Sequence, residues 1–131
     1  MSVKQIDETV AHEIRKIFSP SFFTGSYGFG YPSPNDIDIV VVKDKELAIK
    51  LLNETGYKTK GEESGSVGSV VLEDFNINII CVTEKEYERW FVATQMMKVL
   101  KPIYDKDQRH GLFETLRGCV KGFKLQTKEG M

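Results

Sequence analysis

Hydrophobic and polar residues follow two periods along this chain, and these periods predict its secondary structure. Apolar residues spaced by three or four among charged ones predict helices, whereas β-branched runs predict strands. Glycine and proline crowd residues 27–34, so this segment is predicted to be a loop. The predicted elements, in chain order, are a helix at about 3–18, strands at 22–24 and 37–42, a helix ending at Gly56, strands at 57–60, 67–72 and 75–82, a helix from Glu84 to Pro102 and a helix at about 105–123.

The last two helices carry stripes of side chains that each allow two interpretations. In the first of these helices, which Thr83 and Glu86 cap, the stripe is favoured to be core, with a base-stacking platform as the alternative. Its members are Tyr87, Trp90, Thr94 and Met97. On the last helix a polar row is favoured to be solvated, with the rim of a cleft as the alternative. The row consists of Lys106, His110, Arg117 and Lys121, beside an apolar face of Leu112, Phe113, Leu116, Val120 and Phe123.

The size and charge of the chain limit the kind of protein that it can be and the partners that it can bind. Its 131 residues, 40% hydrophobic and 28% charged, predict one globular domain over residues 1–131, and the predicted helices and strands make it an α/β domain. A net charge of −1 and an isoelectric point near 6.1 argue against a surface that coats nucleic acid and against DNA as a partner, and they leave a local basic patch open. Cys81 and Cys119 suit buried free thiols in a reducing compartment. No apolar stretch approaches the ~20 residues that cross a bilayer, so a cytoplasmic protein without a membrane partner is predicted.

The chemistry concentrates in two short motifs. Thr24-Gly25-Ser26 is followed, after nine residues, by Asp36-Ile37-Asp38 at the head of an apolar run. If that run is a strand, Asp36 and Asp38 share one face with Cα atoms roughly 6.6 Å apart. Mg²⁺ takes oxygen ligands and keeps waters and phosphate oxygens in its shell, so two such carboxylates suffice to begin a site. The alternative is that Asn35-Asp36 merely form a turn.

With these motifs and this order of elements, residues 3–100 resemble the DNA polymerase β-type nucleotidyltransferase superfamily. The resemblance implies a small mixed sheet flanked by helices. It implies that Gly25 and Ser26 hold a nucleoside triphosphate and that Asp36 and Asp38 ligate Mg²⁺, with Mn²⁺ as a substitute. The implied reaction transfers a nucleotidyl group to a hydroxyl on RNA, protein or a small molecule. A phosphate-binding P-loop and a dinucleotide fingerprint are both excluded, because the glycine-rich segment lacks their remaining residues.

The chain departs from the family at its third acid, which would lie on the strand at 75–82. That position is Asn78, or Asn76 in another register, so the predicted catalytic set is Asp36, Asp38 and Asn78. An amide oxygen can ligate a cation but brings no charge and is no general base. The alternative function is therefore a catalytically degenerate fold that serves as a nucleotide-binding or regulatory module, or as a scaffold.

Two further features bear on function. The segment 67–80, the helix containing Trp90 and residues 106–113 also resemble small nucleotidyltransferase-like proteins of tailed bacteriophages, which would place the protein in a host cytoplasm. Aromatic residues in the predicted loop either stack on a base or hold the loop against the core. These residues are Tyr27, Phe29 and Tyr31.

Overall fold

The computed structural model describes residues 7–32, 34–60, 68–100 and 105–129, and for residues 121–129 it describes the backbone alone. These residues form a mixed α/β fold in which a four-stranded sheet is flanked by helices. The arrangement specific to nucleotidyltransferases stays a prediction. The helices are α1 (Glu8–Ile17), α2 (Gly25–Phe29), α3 (Lys45–Glu54), α4 (Glu84–Leu100) and α5 (Lys106–Glu129), and the strands are β1 (Ser21–Thr24), β2 (Ile37–Val41), β3 (Ser69–Val71) and β4 (Ile77–Cys81).

The sheet has the strand order β1-β2-β4-β3 within the described residues. β2 runs antiparallel to β1 and parallel to β4, and β3 runs antiparallel to β4. The predicted hairpin is therefore confirmed in β3 and β4. The predicted strand at 57–60 is reduced to one bridge between Thr59 and Leu72, flanked by a hydrogen bond from the Lys60 N–H to the Val71 carbonyl.

One face of the sheet forms the main hydrophobic core with α1 and α3. Ile37, Ile39 and Val41 of β2 are fully buried in this core. The two helices bury residues three or four positions apart, as one face of a helix requires. Because side chains alternate along a strand, the same packing turns Asp38 toward the opposite face of the sheet.

Side-chain caps set where the longer helices begin. The Asp7 carboxylate accepts a hydrogen bond from the Val10 N–H at 3.1 Å, so α1 begins at Glu8, later than predicted. Thr83 Oγ1 accepts from the Glu86 N–H at 3.3 Å, which confirms Thr83 as the predicted cap of α4, whereas the Glu86 carboxylate accepts from Arg89. In both cases an oxygen of the preceding residue satisfies an N–H group that has no partner within the helix.

The opposite face of the sheet is covered by α2 and α4, and α5 packs against α4. Phe22 of β1 makes edge-to-face contacts with Tyr87 and Phe91 of α4, with ring centroids 5.1 and 5.2 Å apart. A second, smaller core joins the three helices to one another. Its buried members are Phe29, Ala93, Met97 and Phe113.

The segment after β1 folds into α2, so the predicted loop at 27–34 is wrong for its first three residues. Phe29 is only 6% exposed, and its ring centroid lies 5.5 Å from that of Phe113. Gly30 ends the helix in a left-handed conformation with φ of 87°, and its N–H bonds to carbonyls of the preceding turn. Burial of one aromatic ring and a glycine C-cap therefore outweigh the low helix propensity of this segment.

Several predicted boundaries fall outside the described residues or differ from the structure. Pro102 and the loop at 61–66 lie outside the described residues, as do residues 1–6. The last helix, α5, begins at Lys106 and continues to Glu129, six residues beyond its predicted end. Residues 124–129 contain no glycine or proline, so nothing in them stops a helix.

The two cysteines are free, as expected, but only one is shielded from water. Cys81 of β4 is half-buried, whereas Cys119 is exposed on α5. The predicted burial of Cys119 is wrong because the neighbouring Val120, rather than Cys119, faces the interior. Within the part of the chain that the structure describes, no helix combines the length and the apolar character needed to cross a membrane.

Gly28 is required for α2 to pack against β1. A Cβ atom at this position would collide with the carbonyl group of Phe23. We expect Gly28→Ala to lower the free energy of unfolding by about 1 to 3 kcal/mol, because the backbone must move to make room. Gly111→Ala is the matched control, since its added Cβ meets no atom within 4 Å. It is expected to raise stability by up to about 1 kcal/mol. Urea unfolding of both variants measures the difference, and equal stability would contradict the role of Gly28.

Candidate functional site

Three polar side chains meet where β2 and β4 lie side by side. The parallel register pairs Asp38 with Asn78. The Asn78 amide nitrogen donates to Asp38 Oδ1 at 2.9 Å and to Asp36 Oδ2 at 3.3 Å. One amide group therefore binds both carboxylates. Asp36 lies just before β2, and it also bonds to a side chain of the neighbouring strand.

The register also decides between the two asparagines. Asn76 lies one residue before β4, and its carbonyl accepts from the Ile37 N–H at 2.9 Å. Asn78, rather than Asn76, lies beside Asp38. Of the two asparagines that the sequence left open, Asn78 is therefore the one that lies beside the acids, and its match to the third acid of the family stays a prediction.

Gly25 lies directly against Asp38. It has a φ of 68°, and a Cβ atom here would collide with the Asp38 carboxylate. Only glycine combines this left-handed conformation with so close an approach. The end of β1 is held by a buried hydrogen bond of 2.8 Å between the hydroxyls of Thr24 and Thr94, which fixes Gly25 relative to α4.

A cavity of about 260 Å³ opens in front of the carboxylates. The first turns of α5 close its other side with Lys106, Arg109 and His110. These residues and Phe113 occur at positions i, i+3, i+4 and i+7, which form one face of a helix. The remaining described lining residues are Thr24, Gly25, Ser26, Phe29, Asp36, Asp38, Asn78, Ile80 and Trp90. The cavity therefore has two acids on one wall and two permanent cations on the other.

The electrostatics of the site are dominated by the burial of Asp38. Burial raises the pKa of this carboxyl to about 6, the hydrogen bond from Asn78 acts in the opposite direction, and the charge of Asp36 raises it further. The Lys106 ammonium lowers it, but by the smallest contribution. A carboxylate in this position gains from any cation that comes into direct contact with it.

The two carboxylates fit a hard divalent cation. Both offer an oxygen within 3.3 Å of one atom, the Asn78 amide nitrogen, so their oxygens converge. Mg²⁺ commonly binds through one or two carboxylates and completes its shell with water and phosphate. Within the described residues, no group of three or more His, Cys, Asp or Glu side chains could hold a metal. The donor set therefore suits one Mg²⁺ or Mn²⁺ that shares its shell with a ligand.

The aromatic residues after β1 mostly hold the segment in place. Phe29 is buried, and the Tyr27 hydroxyl donates to Glu8 at 2.6 Å, outside the cavity lining. Tyr31 lies beneath the Arg109 guanidinium, 4.2 Å from its ring centroid. On α4, Thr94 and Met97 are core residues as favoured, whereas Trp90 lines the cavity.

Both interpretations of the polar row on α5, a solvated face and the rim of a cleft, are partly correct. Lys106 and His110 are exposed, yet both line the cavity, and Lys121 has no described side chain. Arg109 was not predicted to be a site residue, because the polar row on this helix was defined by spacings of four and seven residues. The spacing of three from Lys106 to Arg109, followed by Phe113, is the signal that identifies this face.

Comparisons with known proteins add no assignment to this geometry. No protein-family model, curated protein or solved structure matches the chain. The resemblance to nucleotidyltransferases therefore stays a prediction, and the function of the site is inferred from its side chains.

The burial of Asp38 predicts a stability that depends on pH. Because the folded-state pKa of about 6 exceeds the ordinary value of 3.8, its contribution to stability is fully present below pH 3.8 and is lost as the pH rises through 6. Asp38→Asn has no carboxyl group to ionise at this position, so the variant does not lose this stability as the pH rises. At pH 7.5 without divalent cations we expect the variant to be more stable than wild type by on the order of 2 kcal/mol.

Chemical unfolding from pH 4 to 7.5 in EDTA checks this expectation. The difference between the two proteins is expected to shrink to a small fraction of its pH 7.5 value at pH 4, where the Asp38 carboxyl is protonated in the folded state and only partly ionised in the unfolded state. A variant less stable than wild type at pH 7.5 would show that the Asp38 carboxylate stabilises the fold. Asp74→Asn, which changes an exposed carboxylate, is the matched control.

Proposed function

We propose that this protein binds a nucleoside triphosphate with one Mg²⁺ between β2 and α5 and transfers the nucleotidyl group to a hydroxyl acceptor. The observation that carries this proposal is the convergence of Asp36 and Asp38 opposite two cations, with Gly25 against Asp38. A triphosphate bound to Mg²⁺ has the complementary charges: its metal faces the carboxylates and its free oxygens face Lys106 and Arg109. The nucleotidyltransferase resemblance supports the same ligand.

The phosphate groups have donors on two sides of the cavity. Gly25 and Ser26 begin α2, where backbone N–H groups have no partner within the helix. The Ser26 hydroxyl adds a donor, and Lys106 and Arg109 add charge from α5. Arg109 also packs over Tyr31, which orients its guanidinium at the mouth of the cavity.

Asn78 limits the number of metal ions in this proposal. Its amide nitrogen donates to both carboxylates, so it positions the two metal ligands and contributes no charge of its own. A second divalent cation placed beside the first would need a third carboxylate to offset the repulsion. Asp36 and Asp38 would therefore hold one Mg²⁺, which would supply Lewis-acid stabilisation of the charge on the phosphate.

The acceptor hydroxyl must lose a proton during the transfer. Asn78 cannot accept it, and Asp36 and Asp38 are engaged with the metal. Lys106 and Arg109 are cations. Among the described lining residues this leaves His110, whose neutral imidazole has a nitrogen lone pair, as the proton acceptor.

The second candidate function is a nucleotide-binding module without turnover. The observation that favours it is the same register, because Asn78 lies where a third acid would otherwise complete a catalytic metal pair. In this case the nucleotide would be a structural or regulatory ligand. Binding without transfer separates this function from the first.

The proposed function is tested by Mg²⁺-dependent transfer of label from α-³²P nucleoside triphosphates to components of a cell extract. We expect transfer by wild type and a loss of more than 100-fold in Asp36→Asn and Asp38→Asn, because each removes a metal ligand. Asp74→Asn is the control, since this exposed residue lies outside the cavity lining. Calorimetry with the same triphosphates identifies the second function if binding occurs without transfer. If neither triphosphate nor Mg²⁺ binds, both functions are rejected.

Asn78→Asp tests the one-metal site. The added carboxylate is expected to increase the number of bound Mn²⁺ ions from one to two per chain in the presence of a triphosphate, as measured by electron paramagnetic resonance. Without metal the variant is expected to lose about 1 to 3 kcal/mol of stability, because it removes a donor and places a third charge beside two others. Asn76→Asp is the matched control and is expected to leave the stoichiometry at one. Two ions bound by wild type would contradict the proposed site.

A further inference from the structure

A second cavity of about 600 Å³ lies next to the first, between the end of β4, α4 and α5. Ile80 and Trp90 line both cavities. The other described lining residues of the second cavity are Gly68, Ser69, Cys81, Val82, Thr83, Glu86, Arg89, Glu114, Arg117 and Gly118. Its volume lies within the range of small-molecule sites, about 300 to 1,000 Å³.

The two cavities adjoin and share part of their walls. Along the open face of β4, Asn78 lines the first cavity, Ile80 lines both and Val82 lines the second. The same order holds on α5, where Lys106 lines the first cavity and Arg117 lines the second. A molecule in the second cavity therefore lies beside whatever occupies the metal site, separated from it by two shared side chains.

The second cavity presents two arginines with donors to spare. Arg89 is 9% exposed, and one terminal nitrogen donates to Glu86 at 2.7 Å. Its Nε is buried and has no hydrogen-bond partner among the described residues, so the donors that Arg89 offers to the cavity are those of its terminal nitrogens. Arg117 pairs with Glu114 and lies 4.9 Å from the Trp90 ring centroid. Each guanidinium has five N–H donors, so one bond to a glutamate leaves donors for an anion.

We propose that the second cavity is the acceptor compartment and takes a small hydroxyl compound that carries a carboxylate or phosphate group. This inference rests on the proposed function, because the acceptor hydroxyl must reach the nucleotide in the first cavity. Arg89 and Arg117 bind the anionic group. The hydroxyl extends past Ile80 and Trp90 toward Asp38.

The charge balance of the cavity favours a small acceptor over a nucleic acid. Glu86 and Glu114 offset the two arginines, so the four side chains carry no net charge. A chain of phosphates needs an excess of positive charge along its path. A single anionic group needs only one or two well-placed guanidinium groups.

Cys81 is not the nucleophile of this compartment. Burial raises the pKa of its thiol to about 11, so it stays protonated at neutral pH.

In the proposed step the acceptor oxygen forms a bond to the α-phosphorus, and the bond from that phosphorus to the bridging oxygen of the β-phosphate breaks. Pyrophosphate leaves with the electron pair, and the hydroxyl proton passes to His110.

Gly118 offers a way to block the second cavity alone. It lies in the cavity wall, and an added Cβ meets no atom within 4 Å. Gly118→Phe is expected to leave the affinity for Mg²⁺ and triphosphate within twofold of wild type and to lower label transfer by more than tenfold. Gly111→Phe is the matched control on the same helix, because its Cβ also meets nothing and Gly111 lines neither cavity. Gly111→Phe is expected to transfer label as wild type does.

Trp90 allows binding to be followed without turnover, because it is the single tryptophan of the chain. Glycerol 3-phosphate and glycerate serve as probes that differ in their anionic group, and glycerol is the uncharged control. We expect a saturable change in Trp90 fluorescence with at least one anionic probe and none with glycerol. The stronger probe distinguishes phosphate from carboxylate. The affinity for the anionic probe, measured by this fluorescence change, is expected to be more than tenfold lower in Arg89→Gln and in Gly118→Phe than in wild type.

The outcomes separate this inference from the proposed function. Equal transfer by wild type and Gly118→Phe, label found only on RNA or protein, or no response to either anionic probe would each overturn the acceptor compartment while leaving the nucleotide site intact. A saturable anion response with no transfer by wild type would overturn the acceptor role. A wild-type protein that binds neither Mg²⁺ nor triphosphate would overturn the proposed function and, with it, the acceptor role of the second cavity.

Discussion

The parallel pairing of β2 with β4 is the constraint on which the rest of the structure depends. Its register pairs Ile39 with Ile79 on the core side and Asp38 with Asn78 on the other. A shift of one residue would turn the isoleucines away from α1 and α3 and would bury the polar residues in their place. The hydrophobic core therefore holds the candidate site in register, and the acids need no attraction of their own to be brought together.

The pairing also brings two acids together and buries one of them, Asp38, in a place that disfavours its charge. The raised pKa of Asp38 shows this cost directly, because desolvation is its largest cause. The Asn78 amide offsets part of it through bonds to both carboxylates. Sites that bind a cation commonly contain such uncompensated charge, since the ligand supplies the missing partner. The same feature that weakens the empty fold thus favours binding of a metal.

The position of α5 sets the width of the cleft. α5 packs against α4 through Trp90 and Phe113, whose ring centroids lie 5.1 Å apart, and Phe29 joins the same small core. The helix begins at a reciprocal cap, in which the Asp105 carboxylate accepts from the Gln108 N–H at 2.8 Å and the Gln108 side chain accepts in return. A few aromatic contacts and one cap therefore place the cations of α5 opposite the carboxylates of β2. They also leave the space in which the second cavity lies.

The sequence by itself determined the elements and the chemistry carried on single strands. A β-branched run predicted β2 and alternation predicted β4, because both signals are local, and the glycine-serine turn and paired acids are readable for the same reason. Tertiary structure decided the rest. The helix at α2 depends on where Phe29 is buried, and the choice of Asn78 over Asn76 depends on the register between two strands. Arg109 joined the site only because α5 packs with that face toward the sheet. These features depend on contacts between segments distant in the chain, which periodicity within one segment does not contain.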